Sequence, residues 1–285
     1  MQVLILGVTG MLGHAVFKVF TEDPRHEVWG TLRSAEGRHF FAEADRERLV
    51  TGVDVLDQNA LVAAMNRVRP EVVINCVGLI KQLVITNDPL SAVPINAMFP
   101  HQLAGLCGLL GSRLIQLSTD CVYSGRKGAY HESDPSDAED LYGKSKFIGE
   151  LHDYSHAITL RTSGIGHELN SSHGLLAWFL SQQEPVKGYA KAIYSGLPSV
   201  ELARVIKDFV LPRPELKGLY HVSAEPIAKL DLLKLVANVY GKDIRIVPDD
   251  GLVIDRSLNS ERFTQATGYI APKWPELIAL MHGYR

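Results

Sequence analysis

Cysteine is scarce: Cys76, Cys107 and Cys121 are the only three in 285 residues, and they form neither a CxxC pair nor a Cys/His ligand spacing. That argues against a disulfide scaffold or a structural zinc; no metal is expected, and a reducing compartment, the cytoplasm, is the expected location. No apolar run reaches the roughly 18 residues that would span a bilayer. The opening MQVLILGVTGMLG lacks the basic start and small-residue cleavage site of a signal peptide, so no membrane attachment is expected. Neither sign of charge dominates, with 29 Lys and Arg against 32 Asp and Glu for a net charge of −3. The basic residues are scattered, which argues against a nucleic-acid partner. Proline, serine and glycine form no tract, and nothing repeats at a period of about 20 to 50 residues, so neither a disordered tail nor a solenoid is expected.

What remains is ordinary globular composition, 46% hydrophobic and 21% charged, in a chain long enough for a cofactor domain plus a smaller lobe. Short β-branched runs, QVLILG, EVWGTL, VVINCVG, LIQLST and AITLRTS, alternate with helical patterns near 11–20, 59–68, 100–110 and 142–151. Such alternation predicts right-handed βαβ units and a doubly wound parallel sheet buried on both faces, an α/β fold. Beyond residue 164 the pattern loosens, with helical segments near 200–211 and 231–239. We therefore expect a cofactor-binding domain over 1–165 and a mainly substrate-binding α/β lobe over 166–285, with segments free to interleave.

Gly7, Gly10 and Gly13 in GVTGMLG follow the first strand and open the first helix. Glycine allows the tight turn and close backbone approach, and the free N–H groups of a helix start favour a pyrophosphate, so Thr9, Met11 and Leu12 join them as dinucleotide-binding candidates. After the second strand comes GTLRSAEGR, where Arg33 suits the 2′-phosphate of NADP and no acid precedes Glu36. NADPH is preferred, with NADH left open by Glu36. Asp54 and Val55 in GVDVLD are placed beside the adenine, and Cys76, Val77 and Gly78 where backbone approaches the cofactor. Tyr142 and Lys146 in LYGKSK lie four apart on one helical face, about 20 residues after the polar strand end LIQLSTDCVYSG. A nearby ammonium stabilises a phenolate and makes tyrosine a usable acid or base. In the extended strand end, Ser118 and Thr119 should point to opposite faces.

GxxGxxG, the STD strand end and YxxxK together resemble the extended short-chain dehydrogenase/reductase family. LSTDCVYSG, YGKSKFIGE and LRTSGIG look like its dTDP-4-dehydrorhamnose reductase branch. The resemblance implies a Rossmann-type domain, NADPH, a nucleotide-diphosphate sugar substrate and catalysis by Thr119, Tyr142 and Lys146. By motif position it also implies Asn96 as a structural or proton-relay asparagine, and Arg161, Thr162 and Ser163 beside the nicotinamide. Arg256 in VIDRSLNSERF falls in the substrate-phosphate stretch, with Lys81, Asp120 and Cys121 near the substrate; Arg262 reads equally well as a surface residue. Cys121 stands where the family has an aromatic, and Ser124 where it has an acid. The implied activity is reduction of the C4 keto group of a nucleotide-activated 6-deoxy sugar, in deoxysugar or polysaccharide biosynthesis. The alternatives are a redox-neutral epimerase or dehydratase with bound NAD, and a non-catalytic cofactor-binding regulatory subunit. Helices near 100–110 and 142–151 are candidates for a homodimer contact.

Overall fold

The computed structural model of the protein describes residues 1–284. Six strands come in sequence order: β1 (Gln2–Leu6), β2 (Glu27–Leu32), β3 (Leu49–Thr51), β4 (Val72–Asn75), β5 (Arg113–Thr119) and β6 (Ala157–Thr162). With Gly218–His221 they make a seven-stranded sheet in the order Gly218–His221, β6, β5, β4, β1, β2, β3. Every pairing in it is parallel. The strands read as near-continuous Val/Ile/Leu because both faces are covered. Val3, Ile5, Ile115 and Ile158 point into one core with Phe17, Phe20, Leu202 and Val205. Leu4, Leu6, Val73 and Leu114 point into the other with Leu61, Met65, Phe99 and Leu103. Each such fully buried side chain stabilises the fold by about 1.5–3 kcal/mol. This is the Rossmann-type α/β architecture expected from the alternating pattern.

Helices α1 (Met11–Thr21) and α2 (Gln58–Val68) cover opposite faces of the sheet. On the face of α2 lies Phe99–Leu110, and on that of α1 lies Ser199–Val205, which continues as the wider turn Ile206–Val210. Residues 199–221 thus return to the sheet between stretches that build the lobe. There Val186–Tyr189 pairs with Ile246–Asp249, and Ala192–Tyr194 pairs with both Ile227–Ala228 and Ile254–Asp255, alongside the helices Lys229–Tyr240 and Trp274–Gly283. Among the described residues no helix is long and apolar enough to cross a membrane, and no three His, Cys, Asp or Glu side chains cluster as a metal site.

Candidate active site

At the carboxyl edge of the sheet β5 and β6 end side by side, with Thr119 opposite Thr162. Strand alternation sends Ser118 and Thr119 to different partners: Ser118 Oγ donates to Glu150 Oε1 at 2.6 Å, while Thr119 Oγ1 bonds Asp120 Oδ1 at 3.2 Å and caps the turn by accepting from Cys121 N at 3.2 Å. Asp140 caps the helix Leu141–Ile148 by accepting from Gly143 N at 2.7 Å, and so fixes the start of the segment that carries Tyr142 and Lys146. Gly143 packs so closely on Cys121 O that Tyr142 is brought beside Thr119, whose hydroxyl favours the ionised phenol. Lys146, 8% exposed, donates from Nζ to Leu117 O at 2.9 Å. Burial pushes the Lys146 ammonium down to about 8, against the pull of Glu150 and Cys76. The Tyr142 phenol is raised, first by burial and then by Cys121, with the Thr119 bond opposing. The sequence suggests that Lys146 draws this phenol down; in the fold Lys146 is not among the groups that set the shift, which comes from burial, Cys121 and the carboxylates of Asp120 and Asp140. Tyr142 is therefore held in its protonated form, as a proton donor must be.

The glycine loop lies next to this strand edge. Gly7 adopts φ 79°, and its N–H donates to Thr31 Oγ1 at 3.2 Å. A Cβ on Gly13 would sit 2.1 Å from Gly7 O, so only glycine lets α1 start here. Gly10 is the N-cap of α1 and no side chain caps it, which leaves the helix start available to an anion. Met11 and Leu12 abut Gly164 just past β6, and Thr9 is half-buried on the loop. Arg33 is exposed after β2 and is engaged by no hydrogen bond or ion pair among the described residues. Asp54 is exposed and accepts from Leu56 N at 2.9 Å, whereas Val55 is buried. Gly78 is exposed, and a Cβ placed on it would lie 3.3 Å from Asn96 Oδ1 and 3.6 Å from Lys146 Nζ. Val77 N donates to Asn75 Oδ1 at 3.0 Å, and burial pushes the half-exposed Cys76 thiol up to about 12. These residues fit a dinucleotide: a glycine turn, an uncapped helix start and a free cation follow one another along the sheet edge.

Two residues singled out by motif position are engaged within the protein. Arg161, 1% exposed, points to the face opposite Thr119 and grips Glu150 through both carboxylate oxygens, Nε to Oε1 at 2.8 Å and Nη2 to Oε2 at 2.5 Å. Its Nη1 reaches Tyr123 Oη at 2.5 Å and His221 Nε2 at 2.9 Å. Arg161 is thus a structural ion-pair residue; its neighbour in sequence, Thr162, faces the site because strand faces alternate. Asn96 is 1% exposed, and both ends of its amide are engaged, by Leu79 N at 2.9 Å and by Leu79 O and Ser145 Oγ at 3.3 Å. It pegs the segment after β4, which is a structural role. Thr162 Oγ1, by contrast, is buried with no hydrogen-bond partner, and Ser163 is half-buried with its carbonyl accepting from Tyr194 Oη at 3.1 Å.

On the other side of Thr119 the fold brings together the four residues expected near a substrate. Arg256 donates from Nε to Tyr123 O at 2.7 Å and lies with Nη1 3.9 Å from Cys121 Sγ. Lys81 pairs with Asp140 at 2.5 Å. Asp120 is 7% exposed; burial raises its carboxyl, opposed by Arg256, Cys121, Thr119 and Lys229. The Cys121 thiol is pushed up to about 12 by burial and then by Asp120, and so stays protonated. Lys229 and Asp140 were not apparent from the sequence as site residues. Asp140 carries the cap signature two residues before Tyr142, but Lys229 reaches the site only through tertiary folding.

Comparison with known proteins agrees with this architecture. Residues 1–251 match the family described as RmlD substrate binding domain. Subunit beta of methionine adenosyltransferase 2 from Bos taurus is 33% identical over 149 residues, covering 52% of this chain and 41% of that protein. A dTDP-4-dehydrorhamnose reductase from Streptomyces griseus is 31% identical over 148 residues, covering 52% and 43%. In both alignments the matched stretch is less than half of the relative's own length. The dTDP-4-dehydrorhamnose reductase of Bacillus anthracis, solved in complex with NADP, superposes with a TM-score of 0.79 at 21% identity, over 99% of this chain and 98% of that one. With the matched region running through the sheet, the site and most of the lobe, the chain belongs to the RmlD substrate binding domain family.

Proposed function

We propose that this protein is an NADPH-dependent reductase of the C4 keto group of a nucleotide-activated 6-deoxy sugar, acting in deoxysugar or polysaccharide biosynthesis in the cytoplasm. One observation carries the proposal: with Gly143 packed against Cys121 O, Tyr142 stands beside Thr119 at the end of β5, while Lys146 lies a helical turn away beside Gly78. NADPH, when bound, supplies the hydride. The backbone of Gly7, Gly10 and Gly13 and the start of α1 hold its pyrophosphate, Arg33 pairs with the 2′-phosphate, and Lys146 hydrogen-bonds the ribose. Thr119 donates to the substrate carbonyl oxygen, an interaction that strengthens as negative charge grows there. Tyr142, kept protonated by its surroundings, gives its proton to that oxygen. Arg256 holds the substrate's diphosphate from the lobe.

A dehydratase needs an acid-base group after Thr119 and Asp120. Cys121 stands there with its thiol pushed up to about 12, so it supplies no base. The likeness to subunit beta of methionine adenosyltransferase 2 favours a second reading, a cofactor-binding subunit of another enzyme. Against that reading stands the assembled set of Thr119, Tyr142 and Lys146. A homodimer through the helices Phe99–Leu110 and Leu141–Ile148 suits the exposed Leu109, Phe147 and Ile148 they carry. NADPH oxidation against a panel of 4-keto sugar nucleotides, N-acetylated ones included, tests the activity. Stoichiometric consumption supports a reductase; redox-neutral conversion supports an epimerase, and no conversion of any member supports the subunit reading.

A further inference from the structure

Ala228 and Asp255, which precede Lys229 and Arg256, both sit opposite Ile193 in the three-stranded sheet of the lobe, so these two cations share the substrate side of Thr119 with Lys81; two of the three are already bonded, Lys81 to Asp140 at 2.5 Å and Arg256 to Tyr123 O at 2.7 Å. Lys229 is different. It is half-buried, yet no hydrogen bond or ion pair engages its ammonium among the described residues. Its position also opposes local electrostatics. Lys229 is the first residue of the helix Lys229–Tyr240, where the positive end of the helix dipole favours an acid, and Ala228 before it provides no side-chain cap. Arg256 and Lys81 add like charge, and burial disfavours the ammonium further; only Asp120 and Cys121 pull the other way. Asp120 in turn faces both Arg256 and Lys229 while being within ion-pair distance of neither. A lysine that breaks the helix-end preference, loses water and receives no bond in return marks a position kept for something outside the chain.

We propose that Lys229, acting with Arg256, binds the diphosphate of the sugar nucleotide and is a specificity-determining residue of this site. The inference rests on the substrate class given under Proposed function. Lys81 and Asp140 neutralise each other, so Arg256 and Lys229 face Asp120 with a surplus of one positive charge, or two when Asp120 is protonated. Two cations from separate elements of the lobe suit a group with two anionic centres, and the uncapped helix start beneath Lys229 adds backbone N–H donors. The compact ammonium acts as a point charge, where the planar Arg256 fork supplies orientation.

Calorimetric titration of the full chain with UDP and dTDP, beside UMP and inorganic pyrophosphate, tests this without requiring turnover. Lys229→Met, which keeps length and removes charge, should weaken both nucleoside diphosphates by about tenfold or more, the usual worth of a charged hydrogen bond. UMP should lose less, Lys229→Arg should retain most of the affinity, and NADP affinity should be the same in all three proteins. Tight binding of pyrophosphate that also depends on Lys229 supports the diphosphate itself as the recognised group. Wild-type affinity for UDP and dTDP in Lys229→Met, a parallel loss of NADP affinity, or no nucleoside diphosphate binding by the wild type overturns the proposal. Lys229-dependent diphosphate binding without any NADPH-consuming activity would instead defeat the reductase reading and leave this one standing.

Discussion

Replacing Arg161 with methionine keeps most of the side-chain volume and removes a guanidinium that is 1% exposed. Its bonds to Glu150 at 2.8 and 2.5 Å, to Tyr123 Oη at 2.5 Å and to His221 Nε2 at 2.9 Å all go. Glu150, 2% exposed, keeps Ser118 at 2.6 Å and His152 at 3.4 Å, neither of which is a fixed positive charge. Breaking a buried pair from one side costs about 3–5 kcal/mol, a large fraction of the roughly 5–15 kcal/mol that holds a typical domain together. Urea titration at neutral pH should show that loss in Arg161→Met, and adding Glu150→Gln should recover part of it by removing the stranded charge. Acid should narrow the gap. Against burial, which pushes it up, His152 and then Arg161 hold the Glu150 carboxyl below its usual range, so the part due to Arg161 is full above about 4.5 and drains as pH falls. His221 is held down to about 3, first by burial and then by Arg161, so its contribution is present above 6.5 and is lost as pH falls toward 3. Without Arg161 the protonated His221 is less disfavoured, and the variant should lose less stability between these values than the wild type does. A loss under about 1 kcal/mol, within the ordinary range for surface changes, joined to a large fall in NADP affinity, would refute the structural role and return Arg161 to the cofactor.

Four further outcomes follow from the site. Lys146 sits at about 8, so if its ammonium is needed, kcat/KM should fall as pH rises through that value, and Lys146→Arg should abolish the fall because a guanidinium keeps its proton; a wild-type profile flat across this range contradicts it. Gly13→Ala drives a Cβ to 2.1 Å from Gly7 O and should destabilise by about 1–3 kcal/mol with loss of NADPH binding. In Gly10→Ala the nearest atom is 3.5 Å away, so thermal melts should stay near wild type while NADPH binding, followed by fluorescence, weakens. Arg33→Ala should weaken NADPH by about tenfold and leave NADH unchanged; equal effects on both would remove Arg33 from the 2′-phosphate.

The sheet was legible because its strands are buried on both faces and so read as uninterrupted Val, Ile and Leu, as in VLIL and VVIN. β3, only Leu49–Thr51 at the sheet edge, is too short to leave such a signal. Pro94 falls inside the wide helical turn Val93–Met98 before Phe99–Leu110, where the residue type argues against the helix that tertiary packing retains. The two- and three-residue strands of the lobe owe their pairing to partners distant in sequence, as Ile254–Asp255 does to Ala192 and Ile193. In the site, Tyr142 and Lys146 were readable as a pair because their spacing is local. Arg161 was misread because its partners, Glu150, Tyr123 and His221, are separated from it in sequence, and the motif position does not reveal which strand face it takes. Lys229 left no local signal beyond standing at the wrong end of a helix for its charge.

In the proposed function Tyr142 is the proton donor of an NADPH-dependent ketone reduction. Single-turnover NADPH oxidation by wild type and Tyr142→Phe, with whichever 4-keto sugar nucleotide the wild type consumes, tests it most directly. Tyr142→Phe should slow the step by at least about 10²-fold, the usual contribution of a positioned acid, with NADPH affinity unchanged. Turnover near the wild-type rate in Tyr142→Phe, or no NADPH consumption by the wild type with any 4-keto sugar nucleotide, would contradict it.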